Sequence, residues 1–207
     1  MRFSASGRNR LQISEVNALY VESGKTTLAN YLADATQTVG EEYWPTQGVR
    51  ILEFEYCPDS SSNGLRYEVE LWDCSGDRNL HSKLPLLNVR FEKCWPAMRK
   101  GASGAMLVFD PAKLNDVQEL EAWHNAFVRH SGLLEAPCLL VAHQKPGSHG
   151  DVKKHDLPVA LRRLQKVDLN LDDKPEKVSE EFRSFVLRVK GAVSASREQD
   201  ELSIVGS

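Results

Sequence analysis

The sequence predicts an α/β domain: a doubly wound, mostly parallel sheet with one antiparallel edge hairpin. Three observations predict it. Apolar strand-like runs alternate with helical patterns through the second half of the chain, which calls for parallel crossovers. Two alternating segments, Val49–Tyr56 (VRILEFEY) and Arg66–Asp73 (RYEVELWD), flank the turn-rich stretch PDSSSNG at Pro58–Gly64, as hairpin strands do. The triplet Gly24-Lys25-Thr26 stands where a first strand gives way to a first helix.

Taken in order, Met1–Arg10 is polar, basic and aperiodic, and reads as a loose extension. Leu11–Leu19 is the expected first strand. It is a weak one, because Ser14, Glu15 and Asn17 interrupt the apolar run a central parallel strand needs. Thr26–Ala35 sets Leu28, Tyr31, Leu32 and Ala35 on one helical face. Thr36–Gln47 is a polar loop containing Pro45, and the hairpin follows. In its second strand Tyr67, Val69 and Leu71 oppose Arg66, Glu68 and Glu70. Asn79–Arg90 has a central proline and no period, and Phe91–Lys100 is partly helical. Ala105–Phe109 and Pro137–His143 are buried strands. Between them Asp116–Ser131 is a helix stopped by Gly132, with Val117, Leu120, Trp123 or His124, Phe127 and Val128 toward the core. Leu157–Val167 is expected as a short helix and Asp168–Leu171 as a marginal strand. Pro175–Val193 is the last helix, with Val178, Phe182, Phe185, Val186 and Val189 as its stripe. Ser194–Ser207 reads as a polar tail. The domain therefore runs from about 21 to 193, with 1–20 and 194–207 as flanking segments.

Composition excludes several classes. A length of 207 residues suits one domain with a sizeable core. Acidic residues (29) outnumber basic ones (26), so the broad positive footprint of a nucleic-acid binder is absent. Cys57, Cys74, Cys94 and Cys138 form no C-x-x-C pair, which argues for free thiols in a reducing compartment over zinc or disulfides. No apolar run has membrane-spanning length, and no signal-peptide or lipidation pattern is present. No direct membrane anchor is expected, and membrane contact would come through a partner.

In open α/β sheets, ligands sit beyond the carboxyl ends of strands. Three such ends carry suggestive residues. The first is VESGKTT at Val21–Thr27. Backbone N–H groups of such a loop wrap a phosphate, and the helix start adds positive potential. Lys25 would reach the outer phosphates, and Thr26 would offer its hydroxyl to magnesium. The second is LWDCSG at Leu71–Gly76: Asp73 can hold magnesium through water, and the Gly76 N–H can approach a terminal phosphate. The third is HQKP at His143–Pro146, where a base-recognition loop would lie. Thr46, after Pro45, would ligate the same ion when a third phosphate is present. The order GKT, PT, WDxxG is the small-GTPase arrangement. His143, His149 and His155 are read as solvated loop residues rather than a metal site. Trp72, Trp95 and Trp123 are read as core or partner surface.

The phrases ESGKT, PTQGVRILEFE, ELWDCSGD, FEKCWPAM, AHQKPGS and SREQDELSI resemble the intraflagellar transport protein 22 (Rab-like protein 5) family, a group of atypical Rab-like small GTPases. The resemblance covers Val21 to the C-terminus. It implies GTP or GDP and Mg2+ as ligands. Glu22, Ser23, Gly24, Lys25, Thr26, Thr27, Thr46, Gly76, His143 and Lys145 would serve the nucleotide, with Thr26, Thr46 and Asp73 around the metal. It also implies a place in intraflagellar transport complex B on the coiled-coil pair of intraflagellar transport proteins 74 and 81. The location implied is the cilium or flagellum and the cytoplasm near the basal body.

The sequence departs from ordinary small GTPases at four places. Leu19 stands where the phosphate loop's first glycine belongs, and its Cβ crowds a tight turn. Asn79–Arg90 reads as an insert in the second switch. Asp77 replaces the glutamine that orients the attacking water, so turnover is expected to be slow at most. Pro146 falls where an aspartate would pair with the guanine edge, and Lys145 is left to stack its stem on the base. The leading reading is an interaction subunit with the GTPase fold. The alternatives are a turning-over GTPase switch controlling ciliary cargo, and an ATP-using phosphate-loop enzyme, for which no catalytic base is visible.

Overall fold

The structure, a computed structural model, describes residues 9–17, 24–34, 49–58, 66–74, 95–112, 117–130, 132–133, 137–144 and 156–205. Its elements in chain order are β1 (Asn9–Asn17), α1 (Lys25–Leu32), β2 (Val49–Tyr56), β3 (Tyr67–Cys74), α2 (Trp95–Arg99), β4 (Gly104–Phe109), α3 (Val117–His124), β5 (Cys138–Gln144), α4 (Val159–Arg162), β6 (Gln165–Asn170) and α5 (Pro175–Val205). The sheet order is β2-β3-β1-β4-β5-β6. Only the β2–β3 pair is antiparallel, with Arg50 opposite Asp73 and Tyr56 opposite Tyr67. The other four pairings are parallel. The expected doubly wound sheet and its edge hairpin are both present.

The alternation of each strand divides the core in two. On one face Val69, Leu71, Met106, Val108, Leu139 and Val141 pack under α1 and α5. On the other, Leu107, Phe109, Leu140 and Ala142 pack under α2 and α3. The expected α5 stripe of Val178, Phe182, Phe185, Val186 and Val189 is buried at every position. Gly104 lets that helix come close, since a Cβ there would lie 2.6 Å from Val189 Cγ2 and 2.9 Å from the Pro137 carbonyl.

Several boundaries differ from expectation. Strand β1 begins at Asn9, inside the segment expected to be a loose extension. It is held as a central strand by parallel neighbours on both sides, which offset its broken apolar run. The helix expected over 157–167 is one short turn, and β6 starts at Gln165. Leu157, Leu161 and Leu164 have helical spacing, but Val167 and Leu169 alternate with exposed residues and pair with β5 as an edge strand. Helix α5 continues to Val205, so the expected polar tail from Ser194 is helical for most of its length. Nothing in its composition breaks a helix once nucleated, since propagation adds a hydrogen bond for each residue fixed.

Helix α3 ends in a π-helical turn, Asn125–Arg129, rather than continuing as a regular helix. The His130 N–H donates to the Asn125 carbonyl at 3.0 Å. Trp123, His124, Ala126, Phe127 and Val128 are all buried, more than one regular helical face accommodates. The wider turn swings these residues inward together. Trp123 then packs against Trp95 of α2, with ring centroids 4.4 Å apart, and against Phe127 at 5.5 Å.

Two outcomes check this packing. Phe185→Ala is expected to cost about 3–5 kcal/mol by denaturant titration, as for other fully buried rings. Removing residues 194–207 deletes a helical stretch exposed at every described side chain. The helical circular-dichroism signal should fall while Tm moves by less than about 2 °C, a change below ~1 kcal/mol for a chain of this size.

Candidate nucleotide and metal site

The carboxyl end of β3 meets the start of α1. Gly24 precedes that helix in a left-handed conformation, with φ 78° and ψ 10°, which glycine adopts without strain. Its carbonyl accepts the first helical bond from Leu28 N at 3.0 Å. Lys25, Thr26 and Asn30 are buried despite being polar, while Thr27 is exposed. A short helix that buries its polar first turn reserves that turn for a local purpose rather than for apolar packing.

Thr26 and Asp73, 47 positions apart in sequence, meet there. The Thr26 hydroxyl donates to Asp73 Oδ2 at 3.1 Å, and Asp73 is fully buried. Alternation along β3 aims Asp73 at the α1 face, on the same side as Val69 and Leu71. Arg50, directly opposite on β2, brings Nε to 4.0 Å from the same oxygen. Its Nη2 donates to Asn30 Oδ1, one helical turn after Thr26. A hydroxyl and a carboxylate oxygen are hard donors that suit a small divalent cation.

Sequence reasoning missed Arg50 and Asn30. The signal for Arg50 was the hairpin register, which sets it across from Asp73. Asn30 offered none, being a polar residue on an amphipathic helix. Tyr31 was expected on the core face of α1 and is 39% exposed instead. Its hydroxyl donates to the Pro175 carbonyl at 2.8 Å and lies 3.0 Å from Ser179 Oγ. With the phenolic proton committed to Pro175, Ser179 is the donor to Tyr31, so α1 is tied to the start of α5.

His143 is the penultimate residue of β5, fully buried on the face shared by Leu139 and Val141. Its neighbours Ala142 and Gln144 help line an open cleft of about 400 Å3 with Asn170, Asp173 and Lys177. Asn170 Oδ1 accepts from the N–H groups of Asp172 and Asp173, which shapes the turn into α5. Tyr56, at the end of β2 and packed edge-on against Phe182 of α5, has its hydroxyl pKa raised, chiefly by burial, with Arg183 opposing the shift. Of the expected site residues the structure thus describes Gly24, Lys25, Thr26, Thr27, Asp73 and His143. Glu22, Ser23, Thr46, Gly76 and Lys145 lie outside the described residues, as do Leu19, Asp77, Pro146 and the segment 79–90.

No protein-family model matches the chain. It is 42% identical over 185 residues to the intraflagellar transport protein 22 homolog of Danio rerio, covering 89% of this chain and 93% of that one. Identity to the homolog from Xenopus tropicalis is 44% over 184 residues, with the same coverage. The chain belongs to the intraflagellar transport protein 22 family. Among solved structures, the fold matches GDP-bound intraflagellar transport protein 22 of T. brucei with a TM-score of 0.62, at 21% identity over 91% of this chain and 99% of that one. The GTP-bound form matches with a TM-score of 0.58. The fold is therefore the small-GTPase fold that the family members share.

Thr26→Ala should destabilise the protein by about 1–3 kcal/mol in denaturant titrations without ligand, because a buried carboxylate loses a donor. Tyr31→Phe should cost about 0.5–1.5 kcal/mol, the worth of ordinary hydrogen bonds at a partly exposed site.

Proposed function

We propose that this chain is a guanine-nucleotide-binding subunit of the intraflagellar transport machinery, with slow turnover or none. The observation that carries the reading is the buried Thr26–Asp73 hydrogen bond at the start of α1. It joins the two strand ends that the sequence marks for phosphate and metal, in a chain whose relatives bear the intraflagellar transport name. The T. brucei relative of the same fold was solved with GDP and with GTP, which supports the same ligand class here.

In this reading the left-handed Gly24 and the backbone N–H groups of the first α1 turn would receive the phosphates. Lys25 neutralises them from the same turn. Thr26 and Asp73 would hold Mg2+, with Thr46 joining when a third phosphate is present. The ion would supply charge neutralisation between the outer phosphates. Glu22, Ser23, Thr27 and Gly76 would complete the phosphate shell, and His143 and Lys145 would serve the base. Asp77 is one methylene shorter than the glutamine it replaces and would put charge beside an anionic phosphate, so it would orient water poorly. The partner in this reading is the coiled-coil pair of intraflagellar transport proteins 74 and 81 within complex B, gripped by the switch face. The location is the cilium or flagellum and the nearby cytoplasm. The domain in this reading takes in β1 and therefore begins by Asn9 rather than at 21, and it carries 79–90 as an insert.

Three measurements test this. Nucleotide released by denaturing the purified protein should be GDP or GTP, and excess GTP rather than ATP should displace it. Lys25→Ala should weaken GDP binding by at least about tenfold, the loss of one charge-assisted phosphate contact. Single-turnover hydrolysis should be slower than that of a GTPase with the usual glutamine, while the coiled-coil pair co-purifies. Preference for ATP, or turnover at an ordinary small-GTPase rate, would overturn the corresponding part.

A further inference from the structure

We propose that Arg50 is a built-in counter-ion for Asp73 that competes with the divalent cation, so that the pocket is organised without metal and holds Mg2+ weakly. The competition rests on the metal site proposed above; the pairing of Arg50 with Asp73 does not.

Asp73 has no exposed surface, and a buried carboxylate is costly unless charge and hydrogen bonds compensate it. Thr26 supplies a neutral donor at 3.1 Å. Arg50 supplies positive charge, with Nε 4.0 Å from the same oxygen. Its placement is built into the fold. The β2–β3 register sets Arg50 directly across from Asp73, so the two side chains leave the sheet on one face. Asn30 then accepts from Nη2, which holds the guanidinium over the first turns of α1. A planar, permanently charged group suits that double engagement better than an ammonium would.

A cation bound between Thr26 and Asp73 meets this charge at close range. The guanidinium must then retreat or share the carboxylate, and in either case the affinity for Mg2+ falls. Arg50 is the second residue of β2, so its engagement with Asn30 and Asp73 ties the start of that strand to α1 when no metal is bound. Arg50 acts here as a positioning residue through Asp73 and is not placed on the nucleotide itself.

The test uses the full chain and compares wild type with Arg50→Met, which keeps an unbranched apolar stem and removes the charge, and Arg50→Lys, which keeps the charge. The release rate of a fluorescent GDP is followed against free Mg2+. Arg50→Met should shift the Mg2+ midpoint about tenfold lower, as removal of one neighbouring like charge at partial exposure implies. Arg50→Lys should stay near wild type. In EDTA without nucleotide, Arg50→Met should lower Tm in the wild-type background and lower it less in an Asp73→Asn background, where only the bond to Asn30 is lost. An unchanged Mg2+ midpoint in Arg50→Met would overturn the competition. Additive Tm losses in the Arg50–Asp73 cycle would overturn the counter-ion. If Asp73→Asn left the Mg2+ dependence of GDP release intact, the metal site would fall and the competition with it, while the cycle in EDTA would still decide the pairing.

Discussion

Everything near the site depends on one hydrogen bond, from the Thr26 hydroxyl to the Asp73 carboxylate. It fastens the first turn of α1 to the end of β3 in the protein interior. A carboxylate with no exposed surface tolerates few neighbours, so the elements around it are constrained. Helix α1 must start with polar residues on its buried side. Strand β3 must finish with a polar residue after an apolar run. Strand β2 must bring a positive charge opposite it. Each condition is met by a residue that would be misplaced in an ordinary core.

The scaffold that holds this juncture is stiff where it needs to be. The α1/α5 side of the sheet is packed by the five-residue apolar stripe of α5, brought close at Gly104, and Tyr31 links α1 to the first turn of α5. The opposite side is anchored by Trp95, Trp123 and Phe127, gathered by the π-helical turn of α3. That cluster ties α2 to the core. Packed elements on both faces of the sheet therefore hold the candidate site residues Thr26 and Asp73 in place.

Much of the fold was legible because its signals were local. The hairpin was announced by strict alternation on both sides of a turn-rich heptapeptide, and β4 and β5 by short continuous apolar runs. The α5 stripe matched residue for residue. Strand β1 was harder to read, because its standing comes from pairing on both sides and not from its own residues. The start of β6 was hidden by leucines whose spacing fits a helix equally well. The helical end of α5 was hidden by polarity, which marks exposure and says nothing of backbone conformation.

The candidate site divides the same way. Lys25, Thr26 and Asp73 were singled out by residue type after a strand, and the structure buries all three and joins Thr26 to Asp73. Arg50 and Asn30 were not, because their roles arise from register and from helical phase, which exist only once the chain is folded. The most direct test of the central claim is Mn2+ binding, followed by electron paramagnetic resonance with GDP present. The account predicts one GDP-dependent ion per chain, lost in Thr26→Ala and weakened in Asp73→Asn. Mn2+ held equally well by both variants, or no GDP-dependent ion in the wild type, would contradict it.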